Sequence, residues 1–289
     1  MEQEEQFQQF EPKNAPPFVL ISNQLTNEMV KDKIRCVHKY LPIDYFIDSI
    51  IHRYFYMASP SEWDDPFETK YLDVLNDPDK GYLLPEEVKK KLNDMSIFCT
   101  CMTYNDSDSE EASWKSYGDN KEQIIRVSFN FDKLCEILNG ATSESIYVGK
   151  LCYKTREYII KPKVIVNNEN RTLEHLYVNN FCFKQEAYQY EKELRFCVIK
   201  NGEQFKKEKE YKIEHIELLP AVDRITLPPI NFNKMTTEES KKKIFEQVKK
   251  FFILKALCPK VSIHVSNLYN SNEIEMTSEL LITNNQNNY

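Results

Sequence analysis

A chain of 289 residues that is 41% hydrophobic and 12% aromatic can bury one large core or two small ones, which excludes a largely disordered polypeptide. Its formal charge of -7 argues against a general nucleic-acid backbone binder, since neutralising phosphates needs a surplus of Lys and Arg on some face. No apolar run approaches the ~18 residues of a membrane span, so no membrane partner is expected.

Eight cysteines lie mostly inside apolar runs, with no C-x-x-C pair and no secretory leader. They read as reduced, buried thiols of a cytoplasmic protein. Cys99 and Cys101 share a strand face by spacing, but zinc needs further ligands that the sequence does not line up, so no metal is expected.

The first seventeen residues are rich in glutamine and glutamate and close on Pro16 and Pro17, the composition of a mobile leader. Residues 34–40, IRCVHKY, have the β-branched and aromatic content of a strand. Pro42 and Asp44 then open a short amphipathic helix reaching 51, and 54–58 is the next strand. It runs into SPSEWDDPFE, where Asp65 before Pro66 favours a turn.

A helix is expected over 85–92 and a strand over 96–104, followed by the acidic loop NDSDSEE. Residues 112–117 form a helical turn with Trp114 and Tyr117 on one side. A strand over 122–129 precedes a helix over 132–139, which Gly140 is placed to end in left-handed geometry. Further expectations are a strand at 145–153, a helix at 172–185, and strands at 206–218 and 222–227. Thr236 and Glu239 have capping-box spacing before a helix reaching about 257, with a last strand at 261–265. The whole reads as a leader (1–17), a single α+β domain of short, mostly antiparallel strands with flanking helices (18–268) and a polar tail (269–289). The five glycines make no phosphate loop, and no G-x-S-x-G elbow is present.

The chemically richest stretch is 183–200, FKQEAYQYEKELRFCVIK. If the chain is extended from Glu191, alternation puts Glu191, Glu193 and Arg195 on one face and Leu194, Phe196 and Val198 on the other. The plain interpretation is an edge strand with a solvated, salt-bridged side. The sharper one is a site whose paired acids handle a developing positive charge.

Four segments taken in order resemble a poorly characterised bacterial family, a domain of unknown function found near mobile elements and phage-defence genes. They are Lys39 and Tyr40; YMASPSEWDDPFE, where the family more often has Asn at position 64; SWKSYGDN at 113–120; and FKQEAYQYEKELRF at 183–196. The likeness covers roughly 34–266. After Asn120 the family often continues with a His-x-Gly step, for which this chain has Lys121, Glu122 and Gln123.

The layout is also similar to the ADP-ribosyltransferase fold. That resemblance implies an NAD-using effector, a bacterial toxin or anti-phage defence protein that modifies a nucleic acid or a protein. It further implies an antitoxin or defence-system partner. In it Glu193, with Glu191 second, would stabilise the cation formed when the nicotinamide–ribose bond breaks. Arg195 would tether a carboxylate or bind a phosphate, Trp114 and Tyr117 would stack against nicotinamide or a base, and His38, Lys39 and Tyr40 would contact NAD. Two other functions suit the same residues: a non-catalytic nucleotide or nucleic-acid binding module, and a metal-dependent hydrolase or nuclease. Buried aromatics, a satisfied core histidine and a lysine decorating a helix end are the purely structural roles for Trp114 and Tyr117, for His38 and for Lys184.

Overall fold

A computed structural model describes residues 19–20, 34–63, 86–106, 114, 123–155, 177–178, 181, 183–231, 236–269 and 274–275. The expected leader, Asp64 to Glu68, Tyr117 and nearly all of the polar tail lie outside these.

In chain order the elements are β1 (Val19–Leu20), β2 (Cys36–Pro42), α1 (Ile43–Ile51), β3 (Tyr54–Ala58), α2 (Glu86–Asn93), β4 (Met95–Thr103), β5 (Ile124–Asn130), α3 (Phe131–Ala141), β6 (Ile146–Lys150) and β7 (Cys152–Lys154). Then come β8 (Phe183–Gln185), a 3-10 turn (Glu186–Glu191), β9 (Glu193–Asn201), β10 (Glu210–Glu214), β11 (Val222–Leu227), α4 (Thr237–Leu257), β12 (Ser262–Val265) and β13 (Ile274–Glu275). The fold is α+β with mostly antiparallel strands: β1 with β6, β6 with β9, β2 with β4 and β5, β3 with β4, β5 with β11 and β12 with β13 are antiparallel, while β11 with β12 and β7 with β8 are parallel. No helix among the described residues is long and apolar enough to cross a membrane.

The chain divides into two compact units, with β4 passing from the first to the second. The first takes Met57–Cys101 and Glu144–Tyr211, together with β1. Its centre is β9, which lies between β6 and β4. Tyr147, Val148 and Gly149 of β6 face Cys197, Phe196 and Arg195 of β9. A core of Ile97, Cys99, Tyr147, Tyr177, Phe181 and Cys197 packs with Trp63 at its margin. Each buried aromatic there is worth about 2–3 kcal/mol of transfer free energy.

The second unit takes Thr26–Tyr56, Met102–Ser143 and Lys212–Tyr289. Its strands run in the order β2, β5, β11, β12, β13. β2 and β5 pair without a slip from Cys36 opposite Asn130 to Pro42 opposite Ile124. The alternation sends Val37, Val127, Ile225 and Ile263 to one face, all buried, while His38, Ser128 and Thr226 take the other. α4 opens with the expected capping box: Thr236 Oγ1 accepts from the Glu239 amide, and the Glu239 carboxylate accepts from the Thr236 amide.

Two expectations need correction. α3 runs through Gly140 to Ala141 and is capped by Thr142 at φ -142°, so Gly140 does not end it in left-handed geometry. The expected helix at 172–185 does not reach its end. Tyr177 and Val178 are helical, but Phe183–Gln185 is a strand held in parallel by Cys152, Tyr153 and Lys154. A distant segment supplies that pairing, and local propensity cannot register it.

Candidate functional site

The 183–200 stretch is not an edge strand with a wet face. β9 is buried along both sides from Glu193 to Ile199, and Leu194, Phe196 and Val198 are fully enclosed. The extended chain begins one residue pair later than alternation alone suggests. Glu191 closes the 3-10 turn, Lys192 stands in the left-handed region at φ 43°, and only from Glu193 is the backbone a strand. The two carboxylates therefore converge across a corner.

What they converge on is Lys184, whose Nζ lies 2.8 Å from Glu191 Oε2 and 2.9 Å from Glu193 Oε2. The other oxygen of Glu193 accepts from Arg195 Nε at 2.6 Å. Arg195 Nη1 donates to the Phe181 carbonyl at 2.8 Å, and the guanidinium lies 4.3 Å over the Trp63 ring. The Glu193 amide donates to Tyr153 Oη at 2.8 Å, and the Cys101 thiol also bonds the Glu193 side chain. Two anions and two cations thus share one water-poor space, each neutralised by a neighbour, which is the condition for burying charge at all.

Within that balance the acids differ. Burial pushes the Glu193 carboxyl upward, but Arg195 and Lys184 outweigh it and hold the group down at about 2, so it stays ionised. Burial also raises Glu191, and the Glu193 charge adds to the rise. The Lys184 charge lowers it without cancelling the effect. Glu191 is also the more open of the two, with 8% of its side chain exposed against 2% for Glu193. Behind Glu193 the Cys99 and Cys197 thiols meet at 3.1 Å, and burial drives Cys99 well above its usual range, so Cys99 is an inert packing group.

In the second unit His38 projects from β2 beside its cross-strand partner Ser128, with 2.9 Å between Nδ1 and Oγ, and its Nε2 lies 3.2 Å from Asp106 Oδ1. Burial, helped by the Arg126 charge, lowers the imidazole to about 3 and keeps it neutral. A carboxylate can only accept, so the proton sits on Nε2 and Ser128 donates to Nδ1. Arg126 Nη2 donates to the carbonyls of Asn105 and Asp106 and so fixes the segment that brings Asp106 to the imidazole.

Serine, histidine and aspartate in a row are the residue types of a hydrolase triad, but the exposure runs backwards. Ser128 is 2% exposed while the Asp106 side chain is 88% exposed. A nucleophile sealed inside a sheet cannot meet a substrate, so this row is a structural hydrogen-bond chain.

The sequence-derived candidates are thus distributed in this way. Glu191, Glu193 and Arg195 meet in the first unit. His38, Lys39, Tyr40 and Trp114 belong to the second. Tyr40 and Trp114 pack edge to face with centroids 5.0 Å apart, in a cluster with Ile124 and Leu268, and both are nearly sealed. Lys39 is half-buried on β2. Lys184 sits at the centre of the charge cluster instead of decorating a helix end. Trp63, Tyr153, Cys101 and the Phe181 carbonyl complete the site, and only Trp63 had a signal, as part of the YMASPSEWDDPFE segment. Among the described residues no group of three His, Cys, Asp or Glu side chains is arranged to hold a metal ion.

No curated protein and no solved structure matches the chain. Residues 113–196 match the model of a family described as a protein of unknown function, DUF2971, a stretch that includes Trp114, Lys184, Glu191, Glu193 and Arg195. Over those residues the chain resembles this domain-of-unknown-function family, as its sequence led one to expect.

Proposed function

We propose that the protein is an NAD-dependent ADP-ribosyltransferase-like effector of the bacterial cytoplasm, a toxin or anti-phage defence protein that modifies a nucleic acid or a protein. The observation that supports this reading is the pair Glu191 and Glu193. Two adjacent buried carboxylates share one lysine and are driven in opposite directions of protonation, the usual mark of an acid–base assignment.

NAD supplies a glycosidic bond to a good leaving group, and cleaving that bond builds positive charge on the ribose. Glu191, the more open of the two carboxylates, is the one assigned to the sugar: ionised, it stabilises that charge, and with its raised affinity for protons it takes the proton of an attacking hydroxyl or amine. Glu193 is a positioning residue, because both of its oxygens are engaged by Lys184 and Arg195. Lys184 orients Glu191 and opposes the rise in proton affinity that burial causes. Arg195 is committed to Glu193, the Phe181 carbonyl and the Trp63 ring, so it is an anchor and not a phosphate ligand. Tyr40 and Trp114 pack edge to face against one another, so they do not serve as stacking faces for nicotinamide. Since Lys184 and Arg195 already neutralise both carboxylates, the cluster is a poor donor set for a divalent ion. The seven described cysteines are free thiols, which supports a reducing compartment.

Incubation of the protein with labelled NAD and a bacterial lysate should transfer label to a macromolecule. Glu191→Gln should lower that transfer at least about a hundredfold while leaving the melting temperature unchanged. Absence of transfer together with absence of NAD binding by calorimetry would sink the reading. Binding without transfer would make the protein a binding module, and metal-dependent cleavage of nucleic acid would make it a nuclease.

A further inference from the structure

α4 buries Gln247, Lys250, Phe251 and Leu254 and turns its opposite side to solvent. That outward side is not polar, as it is on an ordinary surface helix. Phe245 is 66% exposed and Phe252 54%, with Ile244 at 47% and Ile253 at 43% beside them. Phe245, half-buried Val248 and Phe252 fall at i, i+3 and i+7, which stacks them in one seam about 10 Å long. Exposed Lys242 and Lys249, themselves a heptad apart, run along one flank. From Ser240 to Leu257 the helix carries six lysines against one glutamate, in a chain whose net charge is -7.

We propose that the outward face of α4 is a docking surface for an amphipathic helix of another protein, one with an apolar seam and acidic flanks. The heptad spacing fits a helical partner, whose own seam would cover Phe245 and Phe252 as knobs cover holes. The lysine flank selects its charge: carboxylates along the partner's edges would face Lys242 and Lys249. A second copy of this chain fits poorly, because it would bring the same excess of lysine to the interface. A lipid surface would suit a broad apolar face. Here Lys242 and Lys249 fall between the phenylalanine seam and Ile253 and so interrupt the apolar face, and the helix's other side is committed to the core.

The probe is a designed helical peptide of about four heptads, with Leu along its seam and Glu on its flanks, compared with the same peptide carrying Lys on its flanks. Fluorescence anisotropy with the full chain should show the Glu peptide binding at least about tenfold more tightly than the Lys peptide, with the difference shrinking at high salt. Phe245→Ala with Phe252→Ala should weaken the Glu peptide about tenfold, and Lys242→Glu with Lys249→Glu should reverse the preference. All four side chains are solvent-exposed, so an unchanged melting temperature certifies the fold of each variant. Three results would overturn the proposal: equal affinity for the two peptides, no binding of either, or no response to the phenylalanine substitutions. So would phenylalanine-dependent binding to vesicles of about one-third phosphatidylserine, or phenylalanine-dependent self-association in sedimentation, when the Glu peptide fails to bind. Transfer of label from NAD is independent of this surface, so failure here leaves the proposed reaction standing.

Discussion

Glu193 stays ionised in a place with almost no water because Arg195 and Lys184 reach both of its oxygens. Removing its charge therefore harms the protein more than removing that of Glu191. Glu193→Gln leaves the Arg195 guanidinium buried without its carboxylate and should cost about 3–5 kcal/mol in urea unfolding. Glu191→Gln leaves Lys184 still paired with Glu193, and should cost much less. The double substitution Glu193→Gln with Arg195→Met removes both charges of the pair and should recover part of the loss, a non-additivity that a double-mutant cycle measures. An additive outcome would mean that the two side chains do not act as a unit. A loss of activity in Glu193→Gln alone is therefore weak evidence for catalysis, and the informative position is 191.

Elements whose signals are local were legible in the sequence. β11 was expected at 222–227 and is found at Val222–Leu227, because alternation and flanking turns mark it. The N-terminus of α4 was legible from Thr236 and Glu239, since a capping box is a property of four consecutive residues. The exposed cap makes a clean test: Thr236→Ala should destabilise the second unit by about 1 kcal/mol in thermal or urea unfolding, and a change under about 0.3 kcal/mol would show the cap to be idle. What was not legible came from partners far away in the chain. Lys184 looked like the end of a helix because its strand exists only against β7, some thirty residues earlier. Alternation grouped Glu191, Glu193 and Arg195 on one strand face but left open whether that face was a solvated edge or a site. Their enclosure depends on β6 and β4 flanking β9, which no pattern within 183–200 reveals. The turn at Lys192 was equally silent, because lysine is not a residue that announces positive φ.

At the scale of the whole molecule the two units answer acid differently. His38 is lowered in the folded state to about 3 from its ordinary 6.5, so below 6.5 the unfolded chain binds a proton that the folded chain refuses. Its contribution is present above pH 6.5 and is lost as pH falls toward 3. Glu193, held at about 2 against an ordinary 4.5, contributes stability above 4.5 that is lost as pH falls toward 2. Glu191 has the opposite sign: its raised folded value favours the folded state at low pH, an advantage lost as pH rises through that value, and so offsets part of the Glu193 loss. Acidification from neutrality should first loosen the second unit, which holds His38, and only below about pH 4.5 the first. Amide hydrogen exchange followed from pH 7 to 4 resolves the order, and His38→Gln should flatten the first phase. Simultaneous loss of protection in both units above pH 5 would contradict it.

One torsion angle sets the distance between the acids. Lys192 occupies left-handed space at a strain of about 1 kcal/mol, and because it alone separates Glu191 from Glu193, that strain is the clasp that aims both at Lys184. Glycine at 192 would release the strain but lose about as much in backbone entropy, so the melting temperature of Lys192→Gly should hardly move. Its freed corner would nonetheless let Glu191 wander, and transfer from NAD should slow. Lys192→Val, which resists positive φ, should instead unfold more easily. A protein as durable as the parent yet slower at its chemistry would identify this corner as an investment in aim rather than in endurance.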